Sequence, residues 1–285
     1  MEVIEYMPDK LLELKNDMVF QEVFGKQKNS RLTGHLISLI IGREIRNVDL
    51  DANKMMLGNR KNAKTGRLDI RAKFNDGEDC NIELQVVPYE YMSKRMLEYW
   101  AIMYGNKINS GDDYSVLKPS ISILIADYKL EELKDIGEYH TIWNLREEKY
   151  HNEIITKDIE LHILEIPKIK ENEMLKDELA QWLKFIENPG NKEVEKFMSE
   201  NKYLKQAKEE LAYLSGETGF QRLVEARAGF LKDQKTFEVC GEKRGKKEEK
   251  IKTARKLLEL KMPIEQIIEV TELTKEEIEK IKKIK

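Results

Sequence analysis

Apolar residues set the first rhythm of the chain. In LLELKNDMVFQEVFG (Leu11 to Gly25) they fall three and four apart, which is the spacing of a helix that buries one stripe, and Gly25 fits a C-cap. SRLTGHLISLIIG (Ser30 to Gly42) repeats the pattern after a short turn. The period then drops to two in GRLDIRAKFNDGEDCNIELQ (Gly66 to Gln85), and it returns to helical spacing in YEYMSKRMLEYWAIMYGNKI (Tyr89 to Ile108), ending near Gly105 or beyond. Three strand-like segments follow: PSISILIADY (Pro119 to Tyr128), EYHTIWNLRE (Glu138 to Glu147) and IELHILEIPKI (Ile159 to Ile169). Two helices, a hairpin, a helix and then strands imply a mixed α/β domain over residues 1–170.

Beyond residue 170 the strand signal ends, and residues 171–285 read as a charged helical region. ENEMLKDELAQWLKFIEN is helical up to Pro189-Gly190, and Glu193 to Leu214 reads as further helix. Glu217 to Leu260 is a long, highly charged helical stretch whose GEKRGKKEEK is too polar to bury. Met262 to Lys283 divides into two short helices. Pro263 suits a first helical turn, and Thr274 with Glu277 suits a capping box.

The hairpin is specific enough to assign a register. A three-residue loop, Asn75-Asp76-Gly77, pairs Asp69 with Glu83, Ile70 with Ile82, Arg71 with Asn81, Ala72 with Cys80 and Lys73 with Asp79. One face then carries Leu68, Ile70, Ala72, Phe74, Cys80, Ile82, Leu84 and Val86. The other carries Arg67, Asp69, Arg71, Lys73, Asp79, Asn81, Glu83 and Gln85. A two-residue loop would mix the faces, so the pattern selects the first register. Opposed residues have β-carbons about 5 Å apart. Two carboxylates at that distance repel, and either a divalent cation or the neighbouring Arg67, Arg71 and Lys73 must offset the repulsion. Mg²⁺ is the chemical match for paired carboxylate oxygens.

Composition narrows the class without naming it. The net charge of −3 over 285 residues does not mark a bulk nucleic-acid binder, although cations can cluster locally. Cys80 and Cys240 match neither a zinc spacing nor a disulfide framework, which fits a reduced, cytoplasmic setting. The start MEVIEYMPDK does not read as a signal peptide. No apolar run approaches the roughly 20 residues of a membrane span. His35, His140, His151 and His162 show no metal-ligand spacing, and His162 reads as a packed or surface residue. There is no Walker-type phosphate loop. The last helix carries Lys275 but also Glu276, Glu277 and Glu279, which argues against a major-groove recognition helix and for a partner or self-association role.

The segments together resemble the Rpn family of recombination-promoting nucleases, also described as PD-(D/E)XK nuclease family transposases. NDMVFQEVFG is similar to that family's opening helix, GRLDIRA with NIELQ to its active-site hairpin, RMLEYWAIMY to the following helix, and the charged tail to its C-terminal region. The resemblance implies a restriction-endonuclease-like mixed sheet flanked by helices. It also implies Mg²⁺-dependent cleavage of DNA, tied to recombination or mobile elements. Asp69 and Glu83 would hold Mg²⁺ (Mn²⁺ and Ca²⁺ being alternatives) with the Leu84 backbone carbonyl as a third ligand. Gln85, where the wider superfamily has Lys, would position the attacking water but supplies no charge. Lys94 or Arg95 would supply it, with Arg95 and Tyr99 four apart on one helical face. Asp17 or Glu22 would complete the site from the first helix. The alternative is a nuclease fold that has lost catalysis and serves as a nucleic-acid-binding or interaction module.

Overall fold

The computed structural model describes residues 10–52, 55–56, 66–67, 70–75, 77–171, 176–198 and 200–283. Leu68, Asp69 and Asp76 therefore lie outside the described residues. The chain forms two compact units, residues 1–224 and 225–285.

The first unit opens with α1 (Asp17–Phe24) and α2 (Ser30–Ile41). Helix α1 starts later than the apolar pattern suggested, because the Asn16 side chain accepts the Met18 amide at 3.0 Å and caps it there. Gly42 ends α2 in the left-handed region at φ 68°, where a side chain is strained. Strands β1 (Asp49–Ala52), β4 (Ile70–Phe74), β5 (Glu78–Gln85), β6 (Ser120–Ala126), β7 (His140–Trp143) and β8 (Ile159–Glu165) build one mixed sheet, ordered β1-β4-β5-β6-β8-β7. Two short strands, β2 (Met55–Met56) and β3 (Gly66–Arg67), pair separately. The β4–β5 pair is antiparallel and β5–β6 is parallel, so the chain must cross over between β5 and β6. Helix α3 (Met92–Gly105) makes that crossing.

Both faces of the sheet are covered, unequally. The large core joins Ile70, Ile82 and Ile123 of the sheet to Phe20 and Phe24 of α1, to Leu36 of α2, and to α4 (Glu178–Glu187) and α6 (Lys202–Gly216) through Trp182 and Leu211. The strands do end near residue 170, but the helices just beyond pack in the same core as the strands. A smaller cluster on the other face sets Met92 and Met96 of α3 against Leu124 and Ile163. Helix α3 is pinned at its far end, where Trp100 Nε1 donates to the Ser120 carbonyl at 2.9 Å and the Tyr104 hydroxyl to Asp158 at 2.7 Å.

Several boundaries differ from the sequence reading. The helical stretch expected from Glu171 is interrupted before α4, which begins at Glu178 after Asp177, whose carboxylate accepts the Leu179 amide; residues 172–175 lie outside the described residues. The helix expected over Glu193 to Leu214 breaks into α5 (Lys192–Met198) and α6, because Asn201 caps the amides of Tyr203 and Leu204. The second unit contains most of α7 (Thr218–Glu259), then α8 (Ile264–Thr271) and α9 (Lys275–Lys283), around Ala254, Ile267 and Ile278. Pro263 caps α8 instead of entering its first turn. The Thr274–Glu277 capping box forms, with the Glu277 amide 3.3 Å from Thr274 Oγ1 and the Thr274 amide 3.1 Å from Glu277 Oε2.

Candidate active site

The β4–β5 hairpin adopts the register that the alternation selected. Ile70 lies opposite Ile82, Arg71 opposite Asn81, Ala72 opposite Cys80, Lys73 opposite Asp79 and Phe74 opposite Glu78. The turn needs left-handed backbone, at φ 44° for Asn75 and 123° for Gly77. A Cβ on Gly77 would also stand 3.1 Å from the Lys118 side chain. Ile70, Ala72, Phe74, Cys80, Ile82 and Leu84 are buried in the large core, as their shared face requires. Val86, assigned to that face, is 40% exposed because β5 has ended at Gln85.

The opposite face of β5 is buried as well. Asp79 and Asn81 are each 1% exposed and Glu83 is 2% exposed. Alternation correctly separates the two faces, but it cannot show that a helix covers the polar one. Asp79 is offset in full. Its Oδ1 receives Lys107 Nζ at 2.5 Å and Ser120 Oγ at 2.9 Å, and Arg71 pairs with its Oδ2. Burial pushes the Lys107 ammonium pKa below its usual value, and the Asp79 charge restores part of the shift.

Glu83 lies further along β5 and meets α3. Arg95 Nη2 stands 3.2 Å from Glu83 Oε2, and Arg95 Nε donates to the Tyr99 hydroxyl at 3.1 Å. Burial raises the Tyr99 hydroxyl pKa, and so does the Glu83 charge, while Arg95 acts the other way. The structure thus brings Glu83, Arg95 and Tyr99 together. Gln85 is on the same face and half-buried, and its carbonyl accepts the Asp127 amide at 2.9 Å. Asp127 in turn holds Lys15 Nζ at 2.8 Å. This places a cation, Lys15, one residue contact away from Gln85. Nothing in the spacing of the sequence pointed to it, since the contact joins positions over a hundred residues apart. Lys94 sits over the Tyr91 ring, 5.2 Å from its centroid.

The first-helix acids are disposed differently. Asp17 begins α1, with its Oδ1 accepting the Met18 amide at 3.0 Å. Glu22 pairs with Lys26, four residues on and just past the end of α1, at 2.9 Å. Asp69, the expected partner of Glu83, lies outside the described residues. Among the described residues no group of three or more His, Cys, Asp or Glu is arranged to hold a metal ion. His162 is fully buried between His140, at 2.9 Å, and Glu160, at 2.6 Å, so it is a packed residue.

A six-stranded mixed sheet, flanked by helices and carrying an acidic hairpin that leads through a crossover helix into a parallel strand, defines the PD-(D/E)XK nuclease fold. The family described as PD-(D/E)XK nuclease family transposase matches residues 14–238, and the chain belongs to it. None of the curated proteins and none of the solved structures compared with the chain matches it. Membership establishes a nuclease-related protein. No helix among the described residues is long and apolar enough to cross a membrane.

Proposed function

We propose that the chain is a divalent-metal-dependent DNA endonuclease that acts in recombination or on mobile DNA in the cytoplasm. The observation that carries this reading is the Glu83 carboxylate. It is 2% exposed, on the hairpin strand of a nuclease fold, and an arginine lies against it. Burying a carboxylate is costly unless a cation accompanies it. The donors on offer, the Glu83 carboxylate and the Leu84 carbonyl, with Asp69 as the acid that the sequence pairs with Glu83, are all oxygens. That set fits a hard cation such as Mg²⁺, with Mn²⁺ or Ca²⁺ as alternatives. When bound there, the ion would lower the pKa of a water and offset charge on the phosphate.

The chain's own residues would supply the rest. The Gln85 amide can orient a water by hydrogen bonds but adds no charge. Arg95 brings a guanidinium to the same place, held on one side by Glu83 and on the other by Tyr99. It could meet two oxygens of a phosphate at once. Lys15, through Asp127, adds a second cation near Gln85.

Incubating supercoiled plasmid with Mg²⁺ tests the proposal. The wild type should nick or linearise it. Glu83→Gln, which keeps the side-chain volume and one acceptor toward Arg95, should reduce cleavage at least a hundredfold with the melting temperature nearly unchanged. Intact plasmid with the wild type, or equal cleavage by Glu83→Gln, would refute it. A binding-only module is the second reading, favoured by Gln85 in place of Lys and by the Arg95–Glu83 pair. Calorimetric titration with Mn²⁺ separates the two. Ion binding that disappears in Glu83→Gln supports the enzyme, and no ion binding by the wild type supports the module.

A further inference from the structure

The six residues between β5 and α3, Val86-Val87-Pro88-Tyr89-Glu90-Tyr91, leave the sheet two positions after Glu83 and lead into the helix that carries Arg95. They expose their apolar surface. Tyr89 and Tyr91 are each 49% exposed, and Val87 is 56% exposed. The two rings meet edge to face, with centroids 6.3 Å apart and planes at 81°. Cations stand beside both. Lys94 Nζ is 5.2 Å from the Tyr91 centroid, and the Arg95 guanidinium carbon is 6.0 Å from that of Tyr89. The Tyr89 carbonyl accepts the Met92 amide at 3.2 Å and the Tyr91 carbonyl the Arg95 amide at 3.0 Å, so the tyrosines immediately precede α3 and are tied to its first turn. Packing does not account for them, because Met92 and Met96 already fill the space beneath this end of α3.

We propose that this segment is a stacking platform for unpaired nucleotides, and that the substrate is DNA with single-stranded bases next to the cleaved phosphate. Exposed aromatic rings interleaved with cations are what a single strand requires: the rings stack on bases and the cations pair with phosphates. Duplex bases are already stacked on one another and offer such rings nothing unless a base leaves the helix. Two carboxylates border the platform without covering it. Glu90 is hydrogen-bonded to the Tyr91 hydroxyl, and Glu132 receives the Ser93 hydroxyl at 3.2 Å. The claim about cleavage rests on the nuclease reading above, whereas the claim about binding does not.

The test is fluorescence anisotropy of the full chain with a labelled oligothymidine and with a labelled duplex, both in EDTA so that no cutting intervenes. The wild type should bind the single strand more tightly than the duplex. Tyr89→Ala/Tyr91→Ala should weaken single-strand binding about tenfold or more and change duplex binding by less than about twofold. Tyr89→Phe/Tyr91→Phe should bind like the wild type, since stacking needs the ring and not the hydroxyl. The proposal falls if the alanine pair binds the single strand unchanged, if both ligands weaken alike, or if the phenylalanine pair fails as the alanine pair does. A Glu83→Gln chain keeps the outcomes distinguishable. Should plasmid cleavage not depend on Glu83 while the anisotropy results hold, the platform stands and the nuclease reading falls. Should cleavage require Glu83 while the alanine pair binds normally, the nuclease stands and the platform falls.

Discussion

Asp79 shows how far one side chain's environment can depart from its sequence context. It stands in an alternating strand beside a turn, where a carboxylate ordinarily faces water. Here it is 1% exposed and shared by Arg71, Lys107 and Ser120. The net value of such a triad is small, because desolvation cancels much of the attraction, but removing one member leaves the others charged and buried. Asp79→Ala should therefore destabilise the first unit by about 3 kcal/mol. Urea unfolding at neutral pH measures this as a lower midpoint with an unchanged slope. Lys107→Met should act in the same direction. A shift under about 0.5 kcal/mol for Asp79→Ala, the size of an ordinary surface change, would mean that the network contributes little to stability.

At the level of elements, the hairpin was the most legible part of the fold. A period of two, a glycine turn and two separable faces allow one register, and β4 and β5 adopt it. Strand β1 was missed because DLDA is short and half acidic, and it is recognisable only as an edge paired to β4. Helix starts were misplaced where an apolar pattern runs through a turn, as at Leu11 to Lys15, and a polar cap decides the boundary. Arg95 and Tyr99 could be placed on one face from their spacing, but Lys15 and Lys107 arrive from distant segments and leave no local signal. Strand β7 carries an expectation of its own. Burial, reinforced by the His162 ring, lowers the His140 pKa from 6.5 to about 4, while Asp177 opposes the shift. The folded state thus holds His140 neutral at a pH where the unfolded chain is already protonated. The stability this contributes is complete above about pH 6.5 and is lost as the pH falls toward 4, by at most about 1.4 kcal/mol per pH unit. Urea titrations at pH 7, 5.5 and 4.5 should show the decline. His140→Gln, which does not titrate, should remove part of it, and an equally steep decline in that variant would place the proton elsewhere.

Over the whole molecule, 50 Lys and Arg against 53 Asp and Glu leave no long-range attraction for DNA. Some exposed cations are paired with nearby acids, as Lys134 is with Glu131, Lys205 with Glu209 and Lys247 with Glu277. In the second unit the acidic first turn of α9 works against phosphate binding. On the stacking-platform proposal, affinity for a single strand rests on the cations beside the tyrosines, Arg95 and Lys94, together with Lys15, which is paired with Asp127 next to Gln85. Each phosphate neutralised on a single strand contributes about −0.7 to the slope of log affinity against log salt. Two or three contacts give a slope between about −1.4 and −2.1, which is shallow for a DNA-binding protein. Anisotropy titrations of the single strand from low to moderate salt should fall in that range, and Lys94→Ala should reduce the magnitude by about 0.7. A slope steeper than about −4 would require a broad basic surface that three side chains cannot provide, and it would move nucleic-acid binding away from the β5–α3 corner.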